Sequence, residues 1–422
     1  MLRAFRLARA LLRGGIRVSE CGCVVKEVDA VVEARGVVLS VSVEVSVDAH
    51  GECCLWLNPG LRVGSVSGLE DYTVKYSRDP EVGLARLLRL RSRSCSASIG
   101  ASYEGSVAPL MRGFWSSGED RHVLRPQTLW YPYTVSCSCL LWPLVRGRHA
   151  RARLEARHDG THAALSSLRL REDGGSYSVW EGTGCSPVDL VVLRRRAEKR
   201  LALEGKEVVV VSETAGGVEE AVRGLREAIA FYRGLGFPDP QEELYVAVMG
   251  GSGGFRNDYL LSLDTVHLEN SATALANALH EYAHTWLGSL LKPRSPEDLW
   301  MFEALPDYLA AAGLDASGLN EQARRVLREA VAEARRALRS PLYTPPHRIH
   351  MPLTRRGIAT HRSVGVAVLD EIASRIGRRE LLQQLASYIA RKLETDRTFS
   401  WREFTASLGE DVRSVLEKYR LL

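Results

Sequence analysis

The sequence has no apolar run long enough to cross a lipid bilayer, which needs about 20 consecutive residues. The amino-terminal segment, residues 1–13, is amphipathic, but four arginines interrupt its apolar residues. It therefore lacks the continuous apolar core of a secretory signal peptide. These absences predict a cytoplasmic protein without a transmembrane segment. Residues 1–13 are expected to form a short helix packed on the body, or one lying on an anionic membrane surface.

Side-chain amides are scarce, since 422 residues include only five Asn and five Gln. Together with the many residues able to form ion pairs, this scarcity is typical of thermophilic proteins. The net charge is +5, with both signs interspersed. The run Arg194–Arg200 is strongly basic but has no interleaved aromatic residues for base stacking. We therefore predict a solvated interdomain segment there, and no nucleic-acid partner.

Cysteine is absent after residue 185, although the chain contains eight cysteines. Cys21 and Cys23, like Cys137 and Cys139, are two residues apart, so each pair would lie on one face of a strand. This spacing differs from the C-x₂-C turn of zinc sites. We expect buried free thiols, while disulfides stay open if the source is hyperthermophilic.

Residues from 20 to about 205 have the pattern of β-structure. Val37–Val47 alternates apolar and polar residues with a period of two, which indicates a half-buried strand. Cys53–Leu57 is predicted as a strand that ends at an Asn-Pro-Gly turn, and Leu84–Leu90 as a short helix. Further strands are predicted near residues 61–66, 72–76, 165–170, 176–181 and 188–193. This spacing favours a sandwich or saddle-shaped sheet domain.

The pattern changes from Glu207 onwards, where strands alternate with a helix and long helices then follow to Leu422. The predicted elements are the strands Val208–Ser212, Leu244–Val248 and Tyr259–Leu263 and the helix Val218–Leu235. The glycine-rich segment Gly250–Gly254 lacks the Lys-Ser/Thr of a phosphate loop. Its glycines, including Gly253 and Gly254, are expected to allow close approach of a ligand or of backbone.

The segment His280-Glu281-Tyr282-Ala283-His284 contains the features of a metal site. Two histidines four residues apart lie on the same face of a helix, so both rings can reach one metal ion. Glu281 between them could act on a metal-activated water. Asn270 or Ser271 is predicted to cap this helix.

Glu303, nineteen positions after His284 in the sequence, is predicted to lie on a second helix capped by Ser295. Together with His280 and His284 it makes three ligands and leaves a fourth position open, which is the catalytic arrangement of zinc. Asp307, one turn later, could accept the other ring N–H of a ligand histidine. Alternatively, it is an ordinary solvated carboxylate.

These residues, with Thr285, Trp286, Leu287 and Gly288 after the motif, resemble the aminopeptidase N family of zinc gluzincins, which includes leukotriene hydrolase. The order Glu303 then Asp307 also resembles thermolysin. The segments Leu55–Val66 and Arg125–Pro132 resemble the family's amino-terminal β domain. The resemblance implies an α+β protein with two domains. They are an all-β domain, residues 1–205, and a thermolysin-like catalytic domain of mixed α/β structure, mostly helical, residues 206–422.

The sequence departs from the family at two positions. The family's Gly-x-Met-Glu-Asn segment, which reads a substrate's amino group, corresponds to residues 253–257, where Arg256 replaces the glutamate. A cation there would repel an α-ammonium group and attract a carboxylate. The family's oxyanion-stabilising tyrosine is also missing, and His361 could replace it or be a surface histidine at a helix start. Tyr308 and Tyr343 are less favoured substitutes.

The resemblance implies a zinc metallopeptidase that hydrolyses peptides, with Glu281 as general base and a substrate-binding role for Gly253, Gly254 and Arg256. An aminopeptidase is favoured by the family, while Arg256 argues against ordinary recognition of a free amino terminus. The alternative is a binding or scaffold module that kept the fold and the metal without turnover. The intact Glu281 argues against this alternative. The oligomeric state is not predicted.

Overall fold

The computed structural model describes residues 22–50, 52–68, 72–79, 83–91, 96–107, 118–133, 148–251, 253–349 and 360–422. The predicted amino-terminal helix lies outside these residues, as do Cys21, Cys95, Cys137 and Cys139. Cys185 is a buried free thiol, and burial raises its pKa to about 12. In the described part of the chain, no helix is both long and apolar enough to cross a membrane.

The described strands of the first half form three sheets. Their bounds are β1 (Gly22–Arg35), β2 (Val38–His50), β3 (Glu52–Leu57), β4 (Leu61–Ser67), β5 (Tyr72–Asp79), β6 (Gly83–Arg91), β7 (Ser96–Gly105), β8 (Arg121–Leu124), β9 (His149–Arg157), β10 (His162–Ser166), β11 (Arg169–Asp173), β12 (Tyr177–Cys185) and β13 (Leu190–Arg194). One sheet has the order β11-β12-β9-β1-β2-β7-β4. The others have the orders β10-β13-β8 and β3-β6-β5.

The long strand β2 shows why these residues form a sheet domain. Its valines 41, 43, 45 and 47 are buried, whereas the intervening serines and glutamate are exposed or half-buried. This alternation matches the two faces of a strand and confirms the period-two prediction. The segment predicted as a helix, Leu84–Leu90, is instead part of β6, which pairs with both β3 and β5. Pairing on both sides outweighs the local helical tendency there.

The second half contains a five-stranded sheet with helices. The strands are β14 (Ala197–Leu203), β15 (Lys206–Ser212), β16 (Glu243–Met249), β17 (Phe255–Asn257) and β18 (Leu260–Asp264). The sheet order is β14-β15-β16-β18-β17. β14 and β15 form a hairpin, so the predicted boundary at residues 205 and 206 falls at its turn. Much of the predicted interdomain segment Arg194–Arg200 is therefore strand.

This sheet is buried on both faces and joins the two halves of the protein. In β16, Leu244, Val246 and Val248 pack in the core formed by the helices. The alternating residues Tyr245 and Ala247 pack in the core of the β domain. A sheet covered on both sides needs apolar residues at nearly every position, and β16 has them. The sheet therefore fixes the position of the helices relative to the β domain.

The helices follow the sheet and complete the second core. Their bounds are α1 (Val218–Gly234), α2 (Ser271–Ala283), α3 (Met301–Ala316), α4 (Asn320–Arg339), α5 (Gly365–Ile376), α6 (Arg378–Glu394), α7 (Trp401–Ser407) and α8 (Arg413–Lys418), with a short strand pair β19 (Lys292–Pro293) and β20 (Thr398–Phe399). Ser295 does not cap α3 directly. It forms a capping box with Asp298 around a 3₁₀ turn, and α3 starts at Met301 and continues through Pro306.

A buried polar network ties the end of β17 to the β domain. The Asp258 carboxylate accepts hydrogen bonds from the backbone N–H of Ser186 at 2.7 Å and from Ser289 Oγ at 2.9 Å. Lys292 Nζ donates to Ser186 Oγ at 2.8 Å. Burial lowers the pKa of Lys292 to about 8. The folded protein therefore releases this proton at lower pH than the unfolded chain, whose lysine pKa is about 10.4.

This network predicts a rise of stability with pH. Between pH 8 and 9.5 the unfolded chain binds more protons at Lys292 than the folded protein, so the free energy of unfolding should increase. Relative to Lys292→Met, the wild type should gain about 1.5 kcal/mol over this range. Urea titrations at each pH measure the difference. Lys199→Met, which removes an exposed lysine paired with Glu219, is the control. If the difference in free energy of unfolding between the wild type and Lys292→Met did not change with pH, the prediction would be contradicted.

Candidate active site

Helix α2 presents the histidine motif from the boundary of the two cores. Asn270 caps the helix, since its Oδ1 accepts a hydrogen bond from the backbone N–H of Thr273 at 3.0 Å. The helix buries Ala274, Leu275, Ala278 and Leu279 against its neighbours. This packing leaves His280 and His284 on a common face near the helix end. The motif is thus held by a rigid element rather than by a loop.

The two imidazole rings are oriented by their Nδ1 atoms. His280 Nδ1 lies 2.8 Å from Asp307 Oδ1, and His284 Nδ1 lies 3.0 Å from the carbonyl oxygen of Leu287. Each Nδ1–H is therefore a donor, so the neutral form of each ring carries its lone pair on Nε2, where a metal ion can bind in place of a proton. The two Nε2 atoms lie 3.3 Å apart. This arrangement directs two ligand atoms toward one point.

The geometry suits a tetrahedral metal ion. Two nitrogens bound to zinc at about 2.0–2.1 Å with tetrahedral angles lie about 3.3 Å apart, which matches the separation of the Nε2 atoms of His280 and His284. Glu303 Oε2 lies 3.8 Å from His280 Nε2, at the start of α3. Ligand atoms of His280, Glu281 and His284 also lie within 4.8 Å of one another. The positions of His280, His284 and Glu303 therefore fit a zinc ion.

Glu281 is buried against the backbone of the neighbouring strand. If residue 254 had a Cβ atom, that atom would lie only 2.2 Å from Oε1 of Glu281. Gly254 also has φ +75°, so a larger residue there would be both strained and in collision with Glu281. Burial raises the pKa of Glu281 to about 7, although Arg125 and Arg362 oppose the rise. Gly254 thus allows the strand to pass directly beside the carboxylate.

Asp307 connects the histidine motif to a cation. Its carboxylate accepts the His280 hydrogen bond and also accepts from Arg362 Nε and Nη2, each at 2.6 Å. Burial alone would raise the pKa of Asp307, but the bonds from Arg362 and His280 hold it well below its usual range. Burial also opposes protonation of His280, yet Asp307 raises the pKa of that imidazole to about 9. Asp307 therefore makes the expected contact with the ring N–H of His280.

Arg256 does not face the histidine motif. It lies opposite Leu261 in the β17–β18 pair, and Leu261 packs in the helix core. Its guanidinium lies over the ring of Tyr282 and donates to Gln241 Oε1 at 2.5 Å, and the residue is 6% exposed. Tyr282 is two residues from each histidine, so its side chain lies about 160° around the α2 axis from both of them, on the opposite face of the helix. The predicted contact of Arg256 with a substrate therefore has no support in this geometry.

His361 is also displaced from the site, whereas its neighbour lies within it. His361 is 2% exposed, and its Nε2 lies 2.7 Å from the carbonyl oxygen of Ile349. An oxyanion donor needs an N–H directed at the substrate, and this contact uses that nitrogen. Arg362 Nε instead lies 4.0 Å from Glu303 Oε2. Sequence reasoning named this segment but did not single out Arg362, since the contact of Arg362 with Asp307 joins residues that are distant in the sequence.

Gly253 shapes the loop before β17, and Arg125 adds a second cation that acts on Glu281. Gly253 has φ +68° and donates its backbone N–H to Asp264 Oδ2 at 2.9 Å, which fixes the loop before β17. Arg125 comes from the β domain, and its guanidinium lies 4.0 Å from the centre of the Phe255 ring. Its charge acts on Glu281 across the domain contact. The motif helix alone could not reveal this second cation, because it arrives from a distant part of the chain.

Solved structures of known proteins share the fold of this chain. No protein-family model and no curated protein sequence matches the chain. An M1 zinc metallopeptidase from Deinococcus radiodurans has a similar structure, with a TM-score of 0.62 and 16% identity over 96% of this chain and 94% of that chain. A mutant of that enzyme matches with a TM-score of 0.64 and 16% identity over 94% of both chains.

A third solved structure, a two-domain M1 zinc metallopeptidase mutant bound to L-tryptophan, matches with a TM-score of 0.63. Its identity is 17% over 96% of this chain and 95% of that chain. The likeness thus covers both halves, and the predicted resemblance is confirmed at the level of the fold. This chain has the two-domain fold of M1 zinc metallopeptidases, with an all-β amino-terminal part followed by a mixed α/β, largely helical part.

Proposed function

We propose that this protein is a zinc-dependent peptidase that uses His280, His284 and Glu303 as metal ligands and Glu281 as general base. One observation supports this proposal most strongly. Two imidazoles are fixed with their Nε2 atoms 3.3 Å apart, beside a buried carboxylate that is not needed as a ligand. The fold adds support, because the similar solved structures are zinc metallopeptidases.

Zinc, when bound, would lower the pKa of a coordinated water and polarise the carbonyl group of the scissile amide. The protein's own residues supply the proton transfers. Glu281 accepts a proton from the attacking water and returns it to the leaving nitrogen. Its burial, at 4% exposure, keeps bulk water from competing for that proton.

The strand beside Glu281 offers a place for an extended peptide. Among the described strands, β17 pairs with β18 alone, which makes it the last strand of its sheet. An extended peptide can add to such an edge through backbone hydrogen bonds. Gly254 lies at the start of this edge and next to the Glu281 carboxylate. A substrate bound there would present its amide beside the base.

Recognition of a free amino terminus is not part of the proposal. In the family that the sequence resembles, a glutamate at the position of Arg256 performs this recognition. Here the residue is a cation, and its side chain packs on Tyr282 instead. We therefore expect the protein to hydrolyse peptides without a preference for a free amino terminus.

Zinc binding should depend on the ligands and on the carboxylate behind His280. His284→Ala should lose most bound zinc, because one of three ligands is removed. Asp307→Asn should weaken zinc binding about 10- to 100-fold, because the partner that orients His280 is lost. Competition with a chelator measures both affinities. His267→Ala, at an exposed histidine, is the control. Full zinc retention by His284→Ala would exclude the assignment.

Hydrolysis should require Glu281. Glu281→Gln keeps the three ligands, so it should bind zinc normally but cleave internally quenched peptides at least 100-fold more slowly than the wild type. Each protein is assayed with and without chelator, and the chelator-sensitive rate is compared. Glu269→Gln, at an exposed carboxylate near the same helix, is the matched control. A Glu281→Gln rate equal to the wild-type rate would show that another group is the base.

A further inference from the structure

Arg362 is a cation that lies beside the proposed ligand Glu303. Its Nε lies 4.0 Å from Glu303 Oε2, and Glu303 Oε2 lies 3.8 Å from His280 Nε2. The guanidinium therefore borders the ligand set directly. The proposed function gives it no role, since neither metal ligation nor base catalysis can use a permanently charged donor.

Two features hold Arg362 in this position. Its Nε and Nη2 atoms form a two-pronged hydrogen bond with the Asp307 carboxylate, which fixes the plane of the guanidinium. The residue belongs to a π-helical turn, Thr360–Val364, that leads into α5. A Cβ added at Gly365 would lie 2.3 Å from the Cβ of Ala304, so glycine there lets α5 pack closely on α3. The position of Arg362 is therefore fixed by the packing of α5 on α3.

One end of the guanidinium is left for another partner. Among the residues that the structure describes, Nη1 of Arg362 has no hydrogen-bond acceptor, whereas Nε and Nη2 are both occupied. The side chain is 44% exposed, in contrast to the buried Glu281. A pre-oriented, charged donor that is open to solvent beside a metal site is suited to stabilise a developing negative charge.

We infer that Arg362 is a catalytic residue that donates from Nη1 to the oxygen of the scissile carbonyl as that oxygen gains negative charge. This inference rests on the proposed function. As the water oxygen bonds to the carbonyl carbon, the π electron pair moves to the carbonyl oxygen and Glu281 takes the water's proton. When the pair returns, the carbon–nitrogen bond breaks and Glu281 gives the proton to the leaving nitrogen. Arg362 keeps all its protons throughout.

Other candidate donors for this oxygen are directed elsewhere. The Nε2 of His361 faces the carbonyl of Ile349. Tyr343 donates its hydroxyl to the carbonyl oxygen of Tyr419 at 3.0 Å. Tyr308 is 1% exposed within the helix core. The contacts of Arg362 make it the best-placed donor among these side chains.

The test separates catalysis by Arg362 from its support of Asp307. Arg362→Gln and Arg362→Ala are compared with Arg378→Gln, the control, because Arg378 pairs with Asp315 on the same helix α3 at 2.8 Å. For Arg362→Gln we expect kcat to fall about 10²- to 10³-fold, with KM within threefold and about one zinc per chain. Added guanidinium should restore part of the kcat of Arg362→Ala. Arg378→Gln should retain the wild-type kcat.

A second measurement does not depend on turnover. A phosphinic peptide mimics the tetrahedral, negatively charged state, whereas the matching hydroxyethylene peptide is tetrahedral but uncharged. By calorimetry on zinc-loaded protein, Arg362→Gln should bind the phosphinic peptide at least 100-fold more weakly than the wild type, and the hydroxyethylene peptide within threefold. Equal phosphinic affinities, or a kcat restored by excess zinc alone, would overturn the inference. If the zinc-loaded wild type bound no phosphinic peptide, both the inference and the proposed function would fail.

Discussion

The hydrogen bond from His280 Nδ1 to Asp307 is the contact on which the site depends. It joins α2 to α3 and turns His280 Nε2 toward His284 and Glu303. Without it the ring could adopt the other tautomer, and the ligand atom would be protonated. The same carboxylate also holds Arg362 through two short bonds. One half-buried carboxylate therefore orients a proposed metal ligand and places a cation beside the proposed metal site.

The sheet between the two cores explains how distant segments meet at this point. Because β16 and its neighbours are apolar on both faces, the β domain and the helices must pack on opposite sides of them. The edge strand β17 then runs beside α2, and Gly254 permits contact with Glu281. The buried bond of Asp258 with Ser186 fixes the end of that strand against the β domain, and its bond with Ser289 fixes it against the segment after α2.

The motif helix and the proximity of His280, His284 and Glu303 could be predicted from the sequence because they depend on local spacing. Two histidines one turn apart share a face in any helix, and Glu303 lies in the first turn of the next α-helix, α3. The direction of Arg256 could not be predicted, because it depends on which residue it opposes in the neighbouring strand. Likewise, Arg362 gains its position from packing through Gly365. The helix predicted at Leu84–Leu90 failed for a similar reason, since non-local pairing decided its structure.

The central claim is that one zinc ion is held by His280, His284 and Glu303 with a position left open. X-ray absorption spectroscopy of the zinc-loaded full-length protein tests it most directly. The account predicts two imidazole nitrogens and oxygen ligands at about 2.0–2.2 Å, with no sulfur. A sulfur shell at about 2.3 Å would place the metal at the cysteines of the β domain and contradict the account.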